Sequence, residues 1–196
     1  LMFIRILIPQ VLRYALPGLG NVWQLTLKDT ALIMVTGLVE IMRQAHVAAG
    51  SMHSLGFRDG NLWAWGGNDN GQLGDGTSNK LLHPMRIDSA RWQTVSAGLH
   101  HSTAIRHDGS LWAWGRNGYG QLGDGSENSH SKPAPVRTLG SWKDIATGSH
   151  HTIGLKTDGS VITWGRNQIG QLGDGTQTDR NVPTPITAIP ANRTLA

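Results

Sequence analysis

After about residue 45 the chain alternates apolar and polar positions in short runs rather than at helical spacing. Trp92-Gln-Thr-Val-Ser-Ala97 and Ser102-Thr-Ala-Ile-Arg106 are short and β-prone. Leu111-Trp-Ala-Trp-Gly115 alternates so that, in a strand, both Trp side chains lie on one face and Leu111 and Ala113 on the other. Asp108-Gly109 separates the second run from the third and predicts a tight hairpin, because that dipeptide tolerates the positive φ of a primed turn. The Gly/Asn/Asp/Ser stretch up to Pro133 reads as loop, and Val136-Arg-Thr-Leu139 as a fourth short strand. About four strands per 50 residues predicts a propeller blade, which cannot bury both faces alone and must stack on neighbours.

This unit recurs three times. Gly71-Gln-Leu-Gly-Asp-Gly76 returns as 120–125 and 170–175, offsets of 49 and 50 residues, and Trp65, Trp114 and Trp164 follow the same offsets. Asp59-Gly60, Asp108-Gly109 and Asp158-Gly159 align, as do Val47-Ala-Ala-Gly50, Val95-Ser-Ala-Gly98 and Ile145-Ala-Thr-Gly148. The spans are about 46–91, 92–141 and 142–190. The first copy is one residue short between His53 and Asp59, compared with His101 to Asp108, which predicts a register slip or a shortened turn in its first hairpin.

Residues 1–45 follow another pattern. Phe3 to Pro17 is apolar with interspersed Arg, and Pro17 ends any helix there. Gly18-Leu-Gly-Asn21 offers a loop and a cap before a second helical stretch, from about Val22 to Ala45. Between Asp29 and Glu40 the uncharged run, Thr30 to Val39, has ten residues against the roughly 18–20 of a spanning helix, so hydropathy alone argues against a bilayer span. The fold class expected is therefore all-β, a partial β-propeller of about three four-stranded blades, preceded by a short α-helical segment.

Composition narrows the chemistry. The 196 residues include no cysteine, which excludes disulfide stapling, a thiolate nucleophile and Cys-based metal sites. Twenty-six Gly without a three-residue period exclude collagen, and eight Trp argue against a disordered linker. The formal charge of +4 divides evenly: 4 − 2 = +2 over residues 1–49 and 13 − 11 = +2 over the rest, with signs interspersed. With no basic run, no nucleic-acid partner is expected.

No catalytic set stands out: there is no Gly-x-Ser-x-Gly elbow, no Gly-Lys-Ser/Thr phosphate loop and no His-Glu-x-x-His. Neighbouring residues of a strand point to opposite faces, so His100-His101 and His150-His151 are poor chelating pairs. His53, His101 and His151 share one repeat position, which suits a structural hydrogen bond. Asp75, Asp124 and Asp174 are each flanked by Gly and suit turn stabilisation rather than calcium binding. Trp65, Trp114 and Trp164 read as blade-packing residues. No cofactor is expected.

Binding then falls to positions that vary within a constant frame. The inserts 67–70, 116–119 and 166–169 read Gly-Asn-Asp-Asn, Arg-Asn-Gly-Tyr and Arg-Asn-Gln-Ile. Arg116, Tyr119, Arg166 and Ile169 are the candidate protein-contact residues, with ordinary solvated loop tips as the alternative.

The His-Ser/Thr pairs 53–54, 101–102 and 151–152, the Trp-Gly-Arg/Gly-Asn segments and the Gly-Gln-Leu-Gly-Asp-Gly loops make residues 46–196 resemble the regulator of chromosome condensation repeat family. The resemblance implies a seven-bladed propeller acting through protein surfaces, since members include a nucleotide-exchange factor, chromatin binders and a β-lactamase inhibitor. Exchange-factor residues of that family lie outside the repeat motif and transfer to no position here. Seven blades need roughly 350 residues. Three units read as a fragment, an oligomer completing a ring, or a poorly stable arc with two exposed blade faces.

Ile6-Leu-Ile-Pro-Gln10, residues 13–21, Leu27-Lys-Asp-Thr-Ala-Leu32 and Gly37-Leu-Val-Glu40 make residues 3–45 resemble the permease subunit of polar-amino-acid ABC importers. That family's ATPase-docking motif should precede Phe3, and its last membrane helix should follow Ala45 where repeat sequence stands, so this chain alone is not expected to transport. If the segment inserts as in that family, Arg5 and Arg13 lie on the cytoplasmic side of an inner membrane and the repeats outside; otherwise the chain is soluble. The join, with Leu1 first, reads as a truncated or rearranged frame. The function expected is a non-catalytic repeat scaffold binding an unknown protein through its propeller loops. The alternative is a transport relic, held at a membrane by residues 1–45, with the repeats as passengers.

Overall fold

A computed structural model of the chain describes residues 46–138 and 140–186. The chain divides into two units, 1–44 and 45–196. The helical expectation for residues 1–45 lies outside the described residues.

Twelve strands are described: β1 His46–Ala49, β2 His53–Arg58, β3 Asn61–Gly66, β4 Leu81–Asp88, β5 Trp92–Ala97, β6 His101–Arg106, β7 Leu111–Gly115, β8 His130–Pro135, β9 Trp142–Thr147, β10 His151–Lys156, β11 Val161–Gly165 and β12 Arg180–Pro185. They form three four-stranded antiparallel sheets in sequence order, β1–β4, β5–β8 and β9–β12. The first two strands of each sheet face the first strand of the next, β1 and β2 against β5 and β5 and β6 against β9, with Ser96 Oγ on β5 2.8 Å from Thr147 Oγ1 on β9, so the sheets converge on that side as propeller blades do.

The core consists of two layers between sheets. One joins Leu55, Leu62, Ala64 and Leu73 of the first blade to Trp92, Val95, Ala104 and Trp114 of the second. The other joins Ile105, Leu111, Ala113 and Leu122 of the second to Trp142, Ile145, Ile162 and Trp164 of the third. The second blade thus turns a Trp-bearing face to the first and a Leu/Ile-bearing face to the third.

The shortened turn expected of the first repeat is present, and two other local expectations change. The missing residue of the first repeat is absorbed by a shortened turn: Asp59 and Gly60, at φ 51° and 76°, form a two-residue primed hairpin, and β2 pairs with β3 from His53↔Gly66 to Arg58↔Asn61 without a slip. Asp108-Gly109, expected to make that turn, sits instead in the longer loop 107–110, where Asp108 Oδ1 accepts from Ser110 N at 2.9 Å and only Gly109 has positive φ. The fourth strand of the second blade is His130–Pro135, earlier than the expected 136–139. Its Pro133 is tolerated because β8 is the edge strand, where a missing N–H leaves no partner unsatisfied.

Candidate functional site

The loop after the third strand of each blade is built on a buried Asn. In the second blade Asn117 Oδ1 accepts from Leu122 N at 2.9 Å, and Asn117 Nδ2 donates to Asp124 Oδ1 at 3.2 Å and to Ser126 O at 3.0 Å. Asn68 and Asn167 do the same in the other blades. Gln121 Oε1 accepts from Tyr119 N at 2.9 Å and closes the loop tip. Asp124 closes the far end, accepting from Ser126 N, Ser126 Oγ and His130 Nε2. Burial alone would raise its carboxyl, but the bonds from His130, Ser126 and Asn117 outweigh this and hold it below the usual carboxylate range. The Asp residues are turn braces, and among the described residues no group of three or more His, Cys, Asp or Glu is placed to hold a metal ion.

On this frame three of the four candidate residues meet. The Tyr119 ring lies 5.2 Å from the His150 imidazole, centroid to centroid, and beneath two guanidinium groups, Arg166 at 5.1 Å and Arg116 at 5.9 Å. Arg116 N donates to His100 O at 2.8 Å and Arg166 N to His150 O at 2.9 Å, which pins each loop base beside the His doublet of its own blade, and the neighbouring blades then bring the two loops together. Gln168 Oε1 accepts from Arg166 Nη2 at 2.6 Å and steers that guanidinium. Among the described residues neither Arg116 nor Arg166 pairs with a carboxylate.

The result is a half-buried cationic and aromatic patch across the second and third blades. Burial, then Arg116 and Arg166, then His100 and His151 hold the His150 imidazole below its ordinary value, so it is neutral at pH 7. Ile169 stands apart: it is 83% exposed and joins none of these ring contacts. His150 was not legible as a site residue, because the sequence shows it only as half of a His doublet; the available signal was that it is the first, non-motif member of that doublet. In the first blade the corresponding positions are Gly67 and Asn70, so the patch has no counterpart there.

Comparison with known proteins agrees with this architecture. The sequence profile of the "Regulator of chromosome condensation (RCC1) repeat" matches residues 59–105, 108–155 and 158–195. Among solved structures, Prp20p from Saccharomyces cerevisiae superposes with a TM-score of 0.67 at 26% identity, covering 74% of this chain and 38% of that one. Human WBSCR16 superposes with a TM-score of 0.66 at 26% identity, covering 72% and 37%. A separate short match is to importer permeases. The octopine transport permease OccQ of Rhizobium radiobacter is 69% identical over 51 residues, 26% of this chain and 22% of that protein. The nopaline permease NocQ of Agrobacterium fabrum is 74% identical over 47 residues, 24% and 20%. The chain therefore spans under two fifths of these propellers and about a fifth of these permeases. With three repeat matches covering more than half its length, the chain belongs to the regulator of chromosome condensation (RCC1) repeat family.

Proposed function

We propose that the repeats form a non-catalytic scaffold for protein binding and that Arg116, Tyr119, Arg166 and His150 are its contact patch, fitted to a partner segment bearing carboxylates. The observation that carries this reading is the pair of guanidinium groups held over Tyr119 with no carboxylate paired to either among the described residues. Arg presents a planar fork to a carboxylate, and Tyr with Arg concentrates binding energy at interfaces. The likeness to Prp20p, whose described binding is to Gsp1p and histones, supports a protein partner. The test is fluorescence anisotropy of a labelled Glu-rich peptide with the full chain. Binding should weaken at least about tenfold in Arg116→Ala and in Tyr119→Ala. Absence of peptide binding, unchanged affinity in Tyr119→Ala, or tighter salt-dependent binding to a DNA duplex would overturn the reading.

A second reading, a transport relic carrying the repeats as passengers, draws on the 69% identity to OccQ over 51 residues. Recovery of the full chain with membranes after lysis, in stable assembly with an importer ATPase, would favour it. Recovery of the full chain in the soluble fraction would count against it.

A further inference from the structure

The two interfaces between blades use one set of contacts. Across the first, Trp114 Nε1 donates to Gln72 O at 2.9 Å, Ser102 Oγ donates to the same carbonyl at 2.7 Å, and His53 Nε2 lies 2.7 Å from Ser102 Oγ. Across the second, Trp164 Nε1 and Thr152 Oγ1 donate to Gln121 O at 2.9 and 3.0 Å, and His101 Nε2 lies 3.2 Å from Thr152 Oγ1. At the rim Gly76 N donates to Ser131 O at 2.8 Å, and Gly125 N to Asn181 O at 2.9 Å. The contacts pair a loop and a strand-end His of one blade with the Trp, hydroxyl and edge strand of the next.

The outer blades carry the two halves of this junction unmated. The third blade repeats the loop half, Gln171, Gly173, Gly175 and His151, and the first repeats the other half, Trp65, Ser54 and Leu82. Leu82 takes the place of Ser131 and Asn181, because Leu81, His130 and Arg180 pair with Gly66, Gly115 and Gly165. Trp114 and Trp164 are fully buried, whereas Trp65 is half-buried. Gly74 and Gly123 are buried against an indole, whereas Gly173 is exposed. Among the described residues neither the Gln171 carbonyl nor the Gly175 N–H makes the bond that its equivalents make. Among the described residues the two most exposed large apolar side chains, Leu82 at 78% and Ile169 at 83%, lie one on each half.

We infer that the chain associates head to tail with a second copy of itself, the Trp65–Ser54–Leu82 face of one docking into the Gln171–Gly173–Gly175 face of the other. Trp65 Nε1 and Ser54 Oγ reach Gln171 O, Gly175 N reaches Leu82 O, and Leu82 covers Gly170 beside Ile169, as the edge strand covers Gly71 and Gly120 in the two existing junctions. The occupant is a second copy because the junction is already made twice with these residue types, and the chain itself presents both halves. Such contact is heterologous: one junction gives a pair of six blades, with one half still open at each end.

The test is light scattering of the full chain over a concentration series, with Leu82→Glu and Ile169→Glu. Both substitutions fall on exposed side chains, and circular dichroism checks that the sheet is kept. With rising concentration the wild type should go from the monomer mass to twice that mass or more, because each pair keeps an open half at each end. Each variant alone should associate at least about tenfold more weakly, since a charge is then buried at the junction. An equimolar mixture should recover the dimer, because one variant keeps an intact loop half and the other an intact Trp half. A wild type that stays monomeric, variants that associate as the wild type does, or a mixture that fails to recover would each overturn the inference. If either Glu variant loses its sheet signal, Leu82→Lys and Ile169→Lys take its place.

Discussion

The indole N–H of Trp114 donates to the main-chain carbonyl of Gln72, 2.9 Å away in the preceding blade, and that carbonyl also accepts from Ser102. Both lone pairs are therefore used by the next blade, and the bond sits inside the apolar layer that Trp114 fills. Because Ser102 Oγ gives its only proton to Gln72 O, it must accept from His53, which makes His53 the neutral Nε2–H tautomer.

Replacing Trp114 separates the two contributions. Trp114→Phe keeps most of the packing but leaves Gln72 O one donor short, a loss of about 1–3 kcal/mol. Trp114→Ala also opens a cavity between blades, and a total of about 3–5 kcal/mol is expected. Urea denaturation of both variants against wild type reads the two steps. No loss in Trp114→Phe would mean that the indole N–H contributes nothing.

Acid should weaken the fold before the carboxylates titrate. Burial, then the nearby His100, holds His53 down at about 4; burial, then the surrounding imidazoles, holds His101 at about 3. In the unfolded chain each binds a proton near 6.5. Between these values the unfolded state carries more protons, so stability is complete above about pH 6.5 and falls as the pH drops towards 4. Each imidazole contributes about 1.4 kcal/mol per pH unit, and His150 and His151, also held low by burial, act in the same direction. Asp75, Asp108, Asp124, Asp158 and Asp174 are all held below their ordinary value, so their effect is confined to lower pH. Thermal unfolding from pH 7.5 to 4.5 checks the slope, and a flat profile would contradict neutral His53 and His101 in the fold.

Equivalent glycines should differ in sensitivity. A Cβ on Gly74 would stand 2.8 Å from Trp114 Nε1, and one on Gly123 2.7 Å from Trp164 Nε1, whereas one on Gly173 meets only Ile186 Cδ1 at 3.8 Å. All three have positive φ and share the strain of an L side chain there, about 1–2 kcal/mol. Gly74→Ala and Gly123→Ala must also displace an indole, so each should lower the melting temperature more than Gly173→Ala does. Calorimetry of the three variants decides it.

The repeat and its strands were legible in the sequence because they depend on local facts: a two-residue alternation, the Asp-Gly and Gly-rich punctuation, and Trp65, Trp114 and Trp164 recurring at fixed offsets. The constant residues could be assigned to scaffold roles on recurrence alone. Asn68, Asn117 and Asn167, however, revealed nothing of their place at the centre of each loop, since a buried amide and a solvated one look alike in a sequence. The edge strand His130–Pro135 was hidden by its Pro and polar residues, which are unfavourable within a sheet yet tolerated at its edge.

Tertiary structure decided what the repeats do to one another. Arg116 and Arg166 lie 50 residues apart and share the Tyr119 ring only because consecutive blades bring their loops side by side. For the same reason His150 joins that patch while Ile169, although it stands at the repeat position of Tyr119, does not. A period in the sequence determines that blades stack; which side chains then face one another, and which faces remain unmated, depends on the angle between sheets, and that is set by packing.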